Sequence, residues 1–133
     1  MIIIGLVGSS KAGSECVNKI LEFIMSQDIQ SVEFVSGGGK GVDTYAKSVC
    51  EKLGVNFKEF KPDRFSWEEF KKRNLQIANY CDKVISFALP FGTTANVPKC
   101  YHCANAGRDD NHEKTAGCYT GMKNGNYEVI III

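Results

Sequence analysis

Apolar residues run without interruption from Ile2 to Val7, the pattern of a strand covered on both faces. A loop of Gly8, Ser9, Ser10 and Gly13 follows. Over Ser14–Ser26 the spacing of Val17, Ile20, Leu21, Ile24 and Met25 turns helical. Ser31–Val35 reads as a second strand. Gly41–Leu53 reads as a second helix, with Val42, Ala46, Val49, Cys50 and Leu53 facing inward and Gly54 as its stop. Val55–Phe60 alternates as a third strand, and Lys61–Phe65 is a loop carrying Pro62. Ser66 with Glu69 three residues on forms a capping-box signature for a third helix reaching about Tyr80. Lys83–Ala88 is a fourth strand, Leu89–His112 a long irregular stretch, and Glu113–Lys123 a short helix broken near Gly121. Tyr127–Ile133 is a strongly β-branched last strand.

Strands alternating with helices predict a parallel sheet with helices on both faces. The expectation is one Rossmann-like, three-layer α/β domain over residues 1–133, with a mainly parallel sheet of about five strands. The stretch "YEVIIII" would be hazardous as an open edge, so it is expected to be a buried strand or a subunit contact.

Composition changes this picture in only a few respects. The apolar fraction of 44% suits one core. A formal net charge of +1 argues against wholesale electrostatic binding to DNA or RNA. No apolar run approaches the roughly 20 residues that span a bilayer, and "MIIIGLVG" lacks the features of a signal peptide. The chain therefore reads as cytoplasmic, where disulfides are rare and the six cysteines need another explanation.

In open parallel sheets, ligands bind outside the carboxyl ends of the strands. "GSSKAG" after the first strand and "SGGGKG" after the second are candidate phosphate loops: Gly8, Ser9, Ser36, Gly37, Gly38, Gly39 and Gly41 offer backbone N–H groups and hydroxyls beside helix N-termini. Neither has Walker A spacing. The alternative is a tight strand-to-helix turn with no ligand. Asp43, in the first turn of the second helix, either complements the helix dipole or serves as a fixed carboxylate ordering the loop or holding a ribose hydroxyl.

"SGGGKGVDTYA" resembles the "SGGAxGVDxxA" signature of the SLOG superfamily, which includes the DNA-processing protein A of natural transformation and the "lonely guy" phosphoribohydrolases. The resemblance continues through "VGSSKAG", "GVNFKEFKPDRF" and "RNLQIANYCDKVISF", covering roughly the first ninety residues in order. It implies a Rossmann-like sheet that binds a nucleotide or nucleotide-derived ligand, with Gly8, Ser9, Ser36, Gly37, Gly38, Gly41, Asp43, Arg73 and Asn74 at the site. Arg73 would meet a phosphate from the third helix; read by itself it is a solvated helix charge. "EKTAGC" takes the place of the family's last Gly-Thr loop, which brings in Thr115 and Gly117. Two departures stand out. Lys11 occupies a position where relatives often carry Arg, and no "PGGxGTxxE" stretch follows the fourth strand. Relatives often pair into dimers, which the apolar C-terminal strand would suit.

The long stretch over 98–118 carries Cys100, Cys103, His112 and Cys118, spaced C-x2-C-x8-H-x5-C, a donor set that zinc prefers. His102 lies between the first two cysteines as an alternative nitrogen ligand. Four protein ligands would make the site structural, and three would leave a position open for catalysis. A redox pair is a competing reading, although this C-x-x-C is not expected to open a helix. Cys16, Cys50 and Cys81 read as core. Trp67 and Phe65 either stack on a base or anchor the third helix, and "GRDDNHE" reads as a solvated tip.

Three functions compete. The favoured one is a sensor or regulatory domain that binds a nucleotide-like ligand, with structural zinc. The alternative is a nucleotide-processing, N-glycosidic hydrolase, which would need a carboxylate such as Asp43 or Glu113. DNA binding ranks last, for want of charge and of aromatic-basic alternation.

Overall fold

The computed structural model describes residues 1–133. Strands β1 (Ile2–Gly8), β2 (Val32–Ser36), β3 (Phe57–Glu59), β4 (Lys83–Ala88) and β5 (Tyr127–Ile131) form one sheet in the order β3-β2-β1-β4-β5. Every pairing is parallel; Ile4 stands opposite Phe34 on one side and Lys83 on the other, and Val84 opposite Tyr127. Between the strands run α1 (Val17–Met25, entered through a 3-10 turn over Ser14–Cys16), α2 (Val42–Leu53), α3 (Trp67–Tyr80), α4 (Tyr101–Asn105) and α5 (Ala116–Asn124). No helix is long and apolar enough to cross a membrane.

Alternation along the strands divides the core. Ile4, Leu6, Phe34, Ile85, Phe87 and Ile132 face α1 and α2. Val7, Val35, Val84 and Tyr127 face α3 and α5, in the same apolar cluster as Ile77 and Cys81. Cys16, Cys50 and Cys81 are buried, as expected. Burial pushes their thiols up, to about 11, 12 and 12.

The departures from expectation have local causes. β3 is shorter than Val55–Phe60, although bonds from Phe34 N to Asn56 O and from Phe60 N to Ser36 O extend its pairing at both ends. α5 starts at Ala116 because Glu113 N is bonded to Leu89 O and Lys114 N to Pro98 O, so the chain there is extended. α5 passes through Gly121 unbroken; that glycine makes room for the Tyr127 ring. The C-x-x-C does open a helix, with Cys100 as the N-cap of α4. Ser66 caps α3 by accepting Glu69 N at 3.3 Å, and Phe65, although 90% exposed, meets Phe70 edge-on with ring centroids 6.2 Å apart, a staple across the cap, whereas Trp67 is 63% exposed. β5 is an edge strand; Ile133 beyond it is exposed.

Candidate metal centre and adjoining cleft

The excursion between β4 and β5 brings four donors together. Cys100 and Cys103 lie one helical turn apart at the start of α4, so their thiols share a side. His112 follows the tip, its carbonyl accepting Cys100 N at 3.0 Å. Cys118 comes from the first turn of α5. Their ligand atoms all lie within 4.8 Å of one another, and all four side chains are buried. A metal–thiolate bond of about 2.3 Å in a tetrahedral site separates sulfurs by roughly 3.7 Å, so the cluster fits a single ion. If a tetrahedral ion were bound, the four protein donors would leave no position for water. His102 stands outside this group; it stacks near Tyr101 and Tyr119, with ring centroids at 4.5 and 5.6 Å.

The sheet supplies the surroundings. Ser86 Oγ lies 3.3 Å from Cys118 Sγ, and Tyr127 donates its hydroxyl to Cys103 Sγ at 3.3 Å. Arg108 donates to Tyr127 O at 2.6 Å and covers the Tyr127 ring. Such outer partners orient metal ligands. The contact with Cys118 lowers the Cys100 thiol to about 4, and the same contact raises Cys118. Burial raises Cys103. One thiolate stabilised by neighbouring thiols is the proton-shared form of a cage that a cation neutralises when the protons leave.

The glycine loops are placed side by side, but much of their spareness is accounted for by the protein itself. A Cβ on Gly37 would lie 2.5 Å from Arg73 Nη1. Arg73 is buried, donates through Nη1 to Gly37 O and through Nε to Asn74 Oδ1 at 2.9 Å, and sits 3.9 Å from Asp43 Oδ2. Asp43 in turn accepts Gly39 N at 3.1 Å. Burial raises the Asp43 carboxyl, while Arg73 and the Gly39 N–H act the other way. Of the two readings of Asp43, the loop-ordering one is therefore visible. Gly41, at φ +70°, lets the second loop lie against the Ser9 carbonyl, which accepts Val42 N at 3.0 Å. Ser36 Oγ is engaged with Leu6 O at 2.7 Å, and Gly38 adjoins Lys61 and Glu59.

A cleft of about 350 Å³ opens outside the carboxyl ends of β1 and β4, where the strand order reverses. Ser9, Ser10 and Lys11 form one wall, with Trp67 from α3. The other wall is Asn96–Pro98, His102, Glu113–Ala116 and Tyr119. Glu113 is buried and accepts Thr94 N. Of the residues singled out from sequence, Ser9, Ser10, Lys11, Trp67, Glu113 and Thr115 line this cleft, and Gly8 lies against Gly117 beside it. Arg73 instead borders a separate polar recess with Lys61 and Lys72. Tyr119 and Asn96 had no motif to mark them, whereas His102 was flagged by its place between two cysteines. Comparison with protein-family models, with curated proteins and with solved structures yields no match. Fold and site together define a five-stranded, all-parallel α/β domain with a buried Cys3His cluster able to hold a metal ion.

Proposed function

We propose that this domain binds a nucleotide or nucleotide-derived, phosphate-bearing ligand in the cleft above β1 and β4, as a sensor or regulatory module, and that the cluster holds structural zinc. The observation that carries the reading is the cleft's position and lining. It sits at the reversal of strand order, with Lys11 and Lys114 for an anion, Ser9, Ser10 and Thr115 for hydrogen bonds, and Trp67 and Tyr119 for a base. Of the SLOG-like positions, Ser9 and Thr115 line the cleft and Gly8 and Gly117 lie against each other beside it, while the loop over residues 37–41 lies outside it. Zinc is favoured by the donor set of three thiolates and one imidazole. Thiolate ligands would be maintained in a reducing compartment such as the cytoplasm.

A second reading, hydrolysis of an N-glycosidic bond, is favoured by Glu113 alone, a buried carboxylate on the cleft wall. Thermal unfolding of the zinc-loaded protein against nucleoside mono-, di- and triphosphates and cyclic and ribosylated nucleotides tests both. A ligand at about a hundred times its Kd adds roughly 2.7 kcal/mol. Selective stabilisation, lost in Lys11→Ala/Lys114→Ala, is expected. No shift from any member refutes the binding reading. Release of free base from a stabilising nucleotide, abolished in Glu113→Gln, would move the assignment to the hydrolase.

A further inference from the structure

The cleft has two walls of different physical origin. The Ser9–Lys11 loop and Trp67 hang from β1 and α3, which are held by the cores on both faces of the sheet. The opposite wall comes wholly from the excursion after β4 and the first turns of α5. Between Pro90 and Gly117 the buried side chains are Cys100, Cys103, His112, Glu113 and Thr115. No aliphatic or aromatic residue in that stretch is buried; Phe91 and Tyr101 are about half exposed. Ordering a residue's backbone costs about 1–2 kcal/mol, and this segment has no hydrophobic core of its own to offset it. Its cross-links are Cys100 N to His112 O, Lys114 N to Pro98 O, the Lys99–Glu113 bridge and Thr94 N to the Glu113 carboxylate, and Glu113 N to Leu89 O, Arg108 to Tyr127 O and the Tyr127 hydroxyl to Cys103 Sγ tie it by hydrogen bonds to the end of β4 and to β5.

We propose that metal occupancy of the Cys100, Cys103, His112 and Cys118 cluster decides whether the second wall of the cleft exists, so that the domain takes up its ligand only when the metal is bound. This rests on the reading of the cleft as a ligand site. The metal joins α4, the His112 segment and α5 into one unit seated on Ser86 and Tyr127. Asn96–Pro98 lead into the first ligand, His102 lies between the first two, and Glu113–Ala116 link the last two. Loss of the metal returns these segments to a mobile loop and leaves the Ser9–Lys11 wall and Trp67 standing alone.

Hydrogen exchange by mass spectrometry on the full chain, zinc-loaded and chelated, tests this without reference to any ligand. The amides of Cys100, Glu113 and Lys114 are expected to exchange at least 100-fold faster after chelation, with those of β1, β2 and β4 unchanged. Acrylamide quenching of Trp67, the sole tryptophan, should increase in parallel. Cys103→Ser should behave like the chelated protein with or without zinc, and unchanged strand protection confirms that it is folded. Persistent protection of Cys100, Glu113 and Lys114 in chelated protein overturns the proposal. AMP and inorganic phosphate are then titrated into both forms, and at least tenfold weaker binding after chelation is expected. Equal affinity of the two forms also overturns the proposal. If the loaded protein binds neither probe while exchange behaves as expected, it is the nucleotide reading that fails, and the metal-built wall stands.

Discussion

Substituting Gly117 by alanine sets two opposed effects against each other. Gly117 is the second residue of α5, and helix propensity alone favours alanine there by about 0.5–1 kcal/mol. A Cβ at that position would, however, lie 2.7 Å from Gly8 N, 2.7 Å from Ser86 Oγ and 2.8 Å from Gly8 Cα. Ordinary contact begins near 3.4 Å, so α5 must retreat by about 0.7 Å. Gly8 is strand backbone and cannot rotate aside, and Ser86 is engaged with Cys118. Overpacking of this kind costs about 1–3 kcal/mol, which exceeds the propensity gain. The net expectation is a loss of about 1–2 kcal/mol, or roughly 3–10 °C in the Tm of a domain of this size. Because Cys118 is the next residue, zinc affinity should fall as well. Urea and thermal unfolding of the zinc-loaded variant, with a chromophoric chelator competing for the metal, give both numbers. A Gly117→Ala protein as stable as the parent and equal in zinc affinity would show that the helix is not pressed against β1, and the reasoning would fail.

Two other measurements bear on the interior. Arg73→Ala leaves Asp43 buried without its cation and Gly37 O without its donor, and should lose about 3–5 kcal/mol in urea unfolding; Arg73→Ala/Asp43→Asn should recover part of this, and a loss below 1 kcal/mol would contradict the burial of the pair. The Cys50 thiol, raised from 9 to about 12 by burial, stays protonated in the fold while its unfolded counterpart ionises. Its contribution is therefore intact below pH 9 and lost as pH rises from 9 towards 12, by about 1.4 kcal/mol at pH 10. Cys50→Ala should flatten the alkaline limb of the stability curve, and an unchanged slope there would exclude this thiol.

The fold was legible where burial on both faces leaves a long apolar run. Lys83–Ala88 and the second helix lie where periodicity places them, give or take one residue. The Cys3His cluster was legible from its spacing in a polar stretch, whereas the packing of its three cysteines against Val7, Val35, Val84 and Tyr127 was not. α4 was not, since five residues carry too little periodicity to stand out, and the start of α5 was displaced by bonds to Leu89 and Pro98 that no local pattern reveals. The cleft was half legible. Ser9 and Thr115 belong to motifs and Trp67 was flagged as a base-stacking aromatic, but Asn96 and Tyr119 join them only in three dimensions. The glycines after β2 read as a phosphate loop; spacing alone could not show that the group lying against Gly37 is the guanidinium of Arg73.

The place of β1 at the middle of the sheet has a consequence for synthesis. β2 and β3 can dock on one side of it as soon as they leave the ribosome, but its other side pairs only with β4, Ile4 opposite Lys83 and Gly8 opposite Phe87. At about 5–20 residues per second, that flank of an apolar strand waits roughly 4–16 s for its partner. The chain is thus most exposed to aggregation, and most in need of a chaperone, in the interval before β4 is made, and none of the Cys3His residues has been translated by then.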